Sequence, residues 1–102
     1  MLSNTCIEYK FADGDSVQLT LAFYSLYQLK GRDKKMYEDV NRIMTKGATD
    51  IFDNIKLIYT AYLCANISNL DSCMSYEEFM IKCGSDYQGL KEATEKLIKP
   101  KN

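Results

Sequence analysis

The chain contains side chains that can do chemistry, but few of them are spaced for it. There is no histidine among the 102 residues, so a serine or cysteine nucleophile would have no imidazole base beside it. Glu77 and Glu78 form an obvious pair of carboxylates, but adjacent residues of a helix point about 100° apart and cannot face one substrate. We therefore expect that the protein is not an enzyme and has no catalytic residues.

Metal and cofactor patterns are also missing from the sequence. The four cysteines lack a Cys-x-x-Cys pair and a histidine to complete a zinc site; they are Cys6, Cys64, Cys73 and Cys83. Asp13-Gly14-Asp15 matches the start of a calcium-binding loop, but the closing glutamate does not follow. The five glycines stand singly, so no phosphate-binding loop is present. We expect no metal, no cofactor and four reduced thiols.

The charge balance limits the classes of partner. Thirteen Lys and Arg residues against 14 Asp and Glu give a net charge of −1, which supplies no counterion-release drive toward nucleic acid or an anionic membrane. No stretch approaches the roughly 18 apolar residues of a membrane span, and the N-terminus lacks the pattern of a secretion signal. We expect a cytoplasmic protein that binds neither nucleic acid nor membrane.

Tyrosine is the residue type that favours a binding function, since the chain contains eight. A tyrosine ring has an apolar body and a polar tip, so it suits both a surface that a partner covers and the rim of a core. Tyr24, Tyr27 and Gln28 fall at helical spacing and are expected to form one aromatic patch. The predicted partner-binding residues are Tyr24, Tyr27, Met36, Tyr37 and Tyr76. For Met36, packing in the core competes with this role.

The elements that position these residues begin with a β-hairpin over residues 5–21. Apolar and polar residues alternate on both sides of Asp13-Gly14-Asp15, as in two half-buried strands. A loop of odd length puts both apolar sets on the same face. We expect such a loop, with Phe11 opposite Val17 and Tyr9 opposite Leu19.

The first predicted helix follows the hairpin directly. Ala22, Phe23, Leu26 and Leu29 share one face, and Gly31 supplies a stop. We expect this helix to cover the hairpin.

A second helix is predicted over residues 33–46 and ends at Gly47. Its inward residues are Met36, Val40, Ile43 and Met44. Its outward residues are Lys34, Lys35, Glu38, Asp39 and Arg42. Glu38 and Arg42 lie four residues apart and are expected to pair.

The third helix is apolar almost all round, which is typical of a central helix packed on more than one side or shared with a second copy. It is predicted over residues 51–67, with Thr49 or Asp50 as its N-cap. A loop is predicted over 68–73. Ser75 and Glu78 then form a capping box for a short fourth helix.

The fourth helix is expected to reach Cys83 and to break at Gly84. Ser85 or Asp86 starts the last helix. The predicted fold is therefore α+β, mostly α: an N-terminal β-hairpin followed by about five helices around a central apolar helix, 51–67. One domain is expected over residues 1–98, with the hairpin at 5–21 and the helical part at 22–98, before a short basic tail, 99–102.

Several stretches, taken in order, resemble the tail assembly chaperones of long-tailed bacteriophages and prophages of Gram-positive bacteria. They are residues 17–30, 41–47, 58–66, 74–79 and 97–101. None of them is a chemical signature alone, so the resemblance lies in their order and spacing across most of the chain.

The resemblance implies a non-enzymatic role in virion assembly. Such a chaperone binds the tape measure protein and keeps it soluble until tail tube subunits polymerise around it, in the host cytoplasm and outside the mature virion. The resemblance further implies a short form and a longer, frameshifted form. Contact with the tail tube protein and self-association are compatible with this role.

Two alternatives remain open at the level of sequence. The first is a small cytosolic adaptor or regulator, encoded by a phage, that binds a host protein through the same aromatic face. The second is a DNA-binding helix-turn-helix over residues 21–46, whose basic residues include Arg32 and Arg42. Glu38 and Asp39 lie among these basic residues and would repel phosphates.

Overall fold

The computed structural model describes residues 6–98, and the predicted tail, 99–102, lies outside them. The strands are β1 (Cys6–Lys10) and β2 (Ser16–Thr20), and the helices are α1 (Phe23–Arg32), α2 (Lys34–Lys46), α3 (Ile51–Ala65), a 3-10 segment (Ile67–Ser72), α4 (Tyr76–Cys83) and α5 (Tyr87–Ile98). The predicted fold class, α+β and mostly α with an N-terminal hairpin, is confirmed. Within the described residues, no helix is long and apolar enough to cross a membrane.

The two strands pair antiparallel and direct their apolar side chains toward the helices. Tyr9 lies opposite Val17, and Ile7 lies opposite Leu19. The apolar residues of both strands join one core, so the predicted common face is confirmed. The predicted pairs, Phe11 with Val17 and Tyr9 with Leu19, were wrong. Each residue of β1 lies opposite a β2 residue two positions earlier than predicted.

A three-residue loop explains the shift of the strand pairing. The Phe11 amide donates to the Asp15 carbonyl at 2.8 Å, and the Gly14 amide donates to the Phe11 carbonyl at 3.1 Å. Gly14 has a φ of +99°, a conformation that a residue with a Cβ rarely adopts. With three residues in the loop, Phe11 therefore lies opposite Asp15, whereas a five-residue loop would place it opposite Val17.

The α3 helix is the central element of the core, as predicted, and most of its residues are buried. Asp50 caps it by accepting from the amides of Phe52 and Asp53, while Thr49 donates to the Asp53 carboxylate instead. The helix ends at Ala65 rather than at 67, because the chain tightens into the 3-10 segment where a loop was predicted.

The hairpin is covered by α3, with α5 along β1. The prediction that the first helix covers it was wrong, since α1 packs on α2, α3 and the 3-10 segment. Its inward residues, Leu26 and Leu29, form a separate small cluster with Cys64 of α3. The buried face of α1 is narrow and suits packing against other helices. By contrast, α3 has enough apolar surface to cover one face of the hairpin as well.

The boundary between α1 and α2 also differs from the prediction. Gly31 lies inside α1, which ends at Arg32 because Asp33 caps α2 through the Met36 amide, at 3.1 Å. The stop at Gly47, with a φ of +91°, is confirmed.

The pairing predicted for the outward face of α2 was wrong. Arg42 pairs with Asp53 of α3 at 3.5 Å, and Glu38 pairs with Lys34 at 4.0 Å. A carboxylate on the packed neighbour therefore replaces the local partner, so this ion pair joins two helices.

The caps of the last two helices follow the sequence closely. Ser75 and Glu78 form both bonds of the predicted capping box, at 3.1 and 2.9 Å. Asp86 caps α5 by accepting from the Gly89 amide at 3.0 Å, and its other oxygen accepts from the Tyr9 hydroxyl at 2.9 Å. Asp86 thereby connects the hairpin to α5, and burial, followed by this hydrogen bond, raises the pKa of Tyr9.

Candidate partner-binding surface

Three exposed aromatic side chains lie together at the start of α1 and are called the aromatic patch: Phe23, Tyr24 and Tyr27. Their exposed fractions are 90%, 69% and 71%. The rings of Tyr24 and Tyr27 are stacked, with centroids 6.3 Å apart and planes 27° apart. The predicted patch of these two tyrosines is thus present, and a solvent-facing group of large rings is typical of a contact surface.

Phe23 was predicted to face inward but lies in the aromatic patch. Leu26 and Leu29 define the buried face of α1, and Phe23 lies about 90° away from its centre on a helical projection. As the first residue of α1, Phe23 also leans toward the helix N-terminus, where no preceding turn lies beneath it. Its position next to a strand end was the signal that sequence reasoning missed.

Met36 and Tyr37 of α2 lie beneath α1 rather than beside the aromatic patch. Both side chains are half-buried and pack against the cluster of Leu26 and Leu29. The Lys30 ammonium lies 5.3 Å from the centre of the Tyr37 ring, which it partly covers. These two residues therefore support α1 from below.

Tyr76 belongs to a different group of rings around α3 and α4. It is half-buried, with its ring centroid 5.2 Å from that of Tyr59 and the Lys56 ammonium 5.8 Å away. Burial raises the pKa of its hydroxyl. Of the five predicted binding residues, Tyr24 and Tyr27 thus form an exposed pair, whereas Met36, Tyr37 and Tyr76 are half-buried elsewhere.

Basic side chains form a rim at the C-terminal end of α1 and the start of α2. The exposed residues Lys30, Arg32, Lys34 and Lys35 follow the aromatic patch along the chain. Lys34 is paired with Glu38 at 4.0 Å, and Lys35 with Asp39 at 3.6 Å. Such exposed pairs are weak, so the rim remains available to acidic groups of a partner.

A second apolar surface, called the hairpin groove, lies between the hairpin and α4. It is an open groove of about 480 Å³ lined on its apolar side by Phe11, Val17, Met74 and Ile81. Ile81 is 78% exposed on the outward side of α4. Ile81 itself was not predicted as a binding residue, although an isoleucine beside Lys82 on the polar face of a short helix indicates an exposed apolar side chain.

Lys82 clamps the hairpin loop to α4 at one end of the groove. Its ammonium donates to Asp13 at 2.7 Å and to Asp15 at 2.9 Å, and lies 5.1 Å from the centre of the Phe11 ring. The bonds to Asp13 and then Asp15 raise the pKa of Lys82 to about 12, and the bond to Lys82 lowers that of Asp13. The two carboxylates of Asp13-Gly14-Asp15 thus bind Lys82 and hold the hairpin loop against α4.

The four cysteines, all described, are free thiols. Burial raises the pKa of Cys64 to about 12 and that of Cys83 to about 11, so neither supplies a reactive thiolate near neutral pH. Between residues 6 and 98, no three side chains of the usual ligand types are grouped to hold a metal ion. The surfaces with a recognisable chemistry are therefore the aromatic patch, its basic rim and the hairpin groove.

Three comparisons with known proteins returned no relative. No protein-family model matches the chain, no curated protein matches it, and no solved structure matches it.

Proposed function

We propose that this chain is a tail assembly chaperone of a long-tailed phage or prophage, acting by protein contacts in the host cytoplasm. It binds the tape measure protein and keeps it soluble while the tail tube assembles, and it is left out of the mature virion. The observation that carries this proposal is the aromatic patch on α1. Its three rings are exposed, while Leu26 and Leu29 fix the other side of the same helix.

The chemistry of the patch suits a helical client with apolar stripes. Tyrosine and phenylalanine rings offer large contact areas with few rotatable bonds, and they can pack against imperfect apolar repeats. The patch spans five residues of α1, or about 6 Å of helix, so each copy would contact only a turn or two of the client. The basic rim would favour client stripes that are flanked by Asp or Glu.

Because each copy contacts only a small part of the client, we expect several copies to bind along one client chain. Weak contacts along one long chain gain apparent affinity through avidity, so self-association is compatible with the role, and the tail tube protein is a further partner.

The DNA-binding alternative is disfavoured by acidic partners on α2 and α3. Arg42 lies 3.5 Å from Asp53 of α3, and Asp39 of α2 pairs with Lys56 of α3 at 3.0 Å, so these two carboxylates would oppose phosphates there.

Co-expression with the tape measure protein of the same phage or prophage genome tests the proposal. The client should be largely insoluble alone and should become soluble and co-purify when this chain is present. If it stays insoluble beside well-folded chaperone, and also beside the frameshifted long form, the proposed function is wrong. If a host protein co-purifies stoichiometrically instead, the adaptor alternative replaces it.

A further inference from the structure

One edge of the hairpin has peptide groups that face away from its partner strand. The Phe11 amide bonds to the Asp15 carbonyl, and hydrogen-bonded pairs alternate along an antiparallel ladder. Tyr9 and Val17 are therefore the next bonded pair. It follows that Ser16 and Gln18 direct both their N–H and their C=O groups outward from β2.

The outward edge at Ser16 and Gln18 is open. Both residues are exposed, and within residues 6–98 no protein group bonds to their peptide N–H or C=O groups. The opening is short, because Leu19 and Thr20 beyond it are buried. Two outward residues can exchange up to four hydrogen bonds with an added strand.

The hairpin groove lies beside this open edge. Ser16 and Val17 form one wall, while Met74 and Ile81 form the other. A strand added to β2 would point alternate side chains to the same face as Val17. Those side chains would enter the groove and cover Ile81, which is 78% exposed.

The charge around the groove is predominantly acidic. Three carboxylates, of Asp13, Asp15 and Glu78, lie near it with one ammonium, that of Lys82. Lys82 already donates to Asp13 and Asp15, and the Glu78 carboxylate accepts only from the Ser75 amide among the described residues. The excess of negative charge favours a basic ligand.

We propose that the hairpin groove binds an extended segment of a partner protein that carries alternating apolar residues flanked by Lys or Arg. The segment adds to β2 as a third strand through the peptide groups of Ser16 and Gln18. Its apolar side chains pack against Val17, Met74 and Ile81, and its basic side chains lie near Asp15 and Glu78. An open strand edge recognises an extended backbone and not a helix, so this site is separate from the aromatic patch and does not rest on the proposed function.

Synthetic heptapeptides test the site directly. Each has valine at positions 3 and 5, threonine at positions 2, 4 and 6, and lysine, glutamine or glutamate at both ends, so that the ends share the face of the valines. Binding is followed by the amide NMR shifts and hydrogen exchange of Ser16 and Gln18. The lysine peptide should shift and protect both amides, and the glutamate peptide should bind at least about tenfold more weakly.

Salt and edge proline provide matched controls. The difference between the lysine and glutamate peptides should shrink in high salt. Gln18→Pro removes an outward N–H without removing a bond between the strands and should abolish binding, which in this variant is followed at the Ser16 amide alone. Glu8→Pro makes the same change at the cross-strand partner on β1, whose N–H faces the other edge, and should leave binding intact.

A third variant keeps the test decisive if proline unfolds the hairpin. Ile81→Ser changes an exposed side chain of the groove and should weaken the lysine peptide by about tenfold without loss of folding. Unchanged Ser16 and Gln18 amides with all three peptides, or equal binding of the lysine and glutamate peptides, would overturn the proposal. So would protection of these amides by self-association without peptide, which would make a second copy the occupant.

Discussion

The ring of Tyr24 stacks on the ring of Tyr27 in solvent, with centroids 6.3 Å apart and about seven-tenths of each residue exposed. Two large rings that pack on each other instead of on the core contribute little to folding. Aromatic pairs are worth roughly 0.5–1.5 kcal/mol beyond burial, and exposure reduces the apolar burial itself. Stability therefore does not explain their presence on α1, which agrees with the proposed contact with a partner.

Removing both rings should leave the fold intact. We expect Tyr24→Ala/Tyr27→Ala to change the free energy of unfolding by no more than about 1 kcal/mol. Tyr59→Ala, which empties a buried position among several rings, should cost about 3–5 kcal/mol. Urea denaturation of the three proteins measures both values, and a loss in the double variant as large as that of Tyr59→Ala would mean that the patch is part of the core.

Two helical glycines should respond in opposite directions to alanine. Gly31 lies in α1 with open space where a Cβ would be added, so Gly31→Ala should stabilise by about 0.5–1 kcal/mol through helix propensity. At Gly89 the added Cβ would overlap the Asp86 carboxylate, which caps α5 and accepts from Tyr9. We expect Gly89→Ala to lower stability by about 1 kcal/mol, because the lost cap and hydrogen bond exceed the gain in propensity. Equal stabilisation by both substitutions in thermal or urea unfolding would contradict the role assigned to Asp86.

The capping box gives a local test of the α4 terminus. Ser75→Ala removes the acceptor of the Glu78 amide at 3.1 Å and should cost about 1 kcal/mol in urea denaturation. Ser85→Ala is the matched control, because this serine precedes the Asp86 cap and its hydroxyl makes no bond within the described residues. The control should stay within about 0.5 kcal/mol of the wild type, and similar losses in the two variants would show that the box contributes nothing specific.

Acid should weaken the N-terminal end of α3, and with it the ion pair to α2, through Asp53. The Thr49 amide and hydroxyl, and then Arg42, hold the pKa of Asp53 below its usual value. A carboxyl with a lower pKa in the folded state stabilises above its unfolded pKa of about 3.9, and this contribution is lost as pH falls through the folded pKa. Asp53→Asn should therefore destabilise near neutral pH and show a smaller fall in stability on acidification. Urea midpoints measured from about pH 7 to pH 3 decide this, and parallel curves for the two proteins would exclude the effect.

Local chemistry in the sequence predicted the parts of the fold that depend on neighbouring residues. Asp50 and Ser75 begin helices because their side chains accept from amides two and three residues away, and Gly47 ends α2 in a conformation that suits glycine. The apolar surface of α3 on nearly every side likewise indicated its central position. Each of these features is decided within one or two turns of chain.

The features that failed depend on distant parts of the molecule. Alternation along the strands specified which face is buried but not whether Tyr9 meets Val17 or Leu19, which the Gly14 turn decides. Arg42 was assigned to Glu38 because the sequence does not show that Asp53 lies on the adjacent helix. The hairpin groove joins residues about 65 positions apart, from Phe11 and Val17 to Ile81, so no local pattern could predict it.

The aromatic patch was predicted only in part, because one of its members is placed by features outside its own helical turn. The helical spacing of Tyr24 and Tyr27 was visible in the sequence, but the place of Phe23 depends on where α1 begins and on what lies beyond that end. Tyr37 and Tyr76 are of the same residue type as the exposed tyrosines, and Met36 is likewise a large side chain with an apolar body. Only the packing of α1 on α2, and of α4 on α3, half-buries them.

The proposed function is tested by the soluble fraction of the tape measure protein when it is co-expressed with matched variants of this chain. The wild type and Phe52→Ala/Tyr87→Ala, which removes two exposed rings outside the aromatic patch, should both keep the client soluble. Tyr24→Ala/Tyr27→Ala should release the client into the insoluble fraction while remaining folded itself. If the patch variant holds the client as well as the control variant does, the aromatic patch is not the chaperone surface.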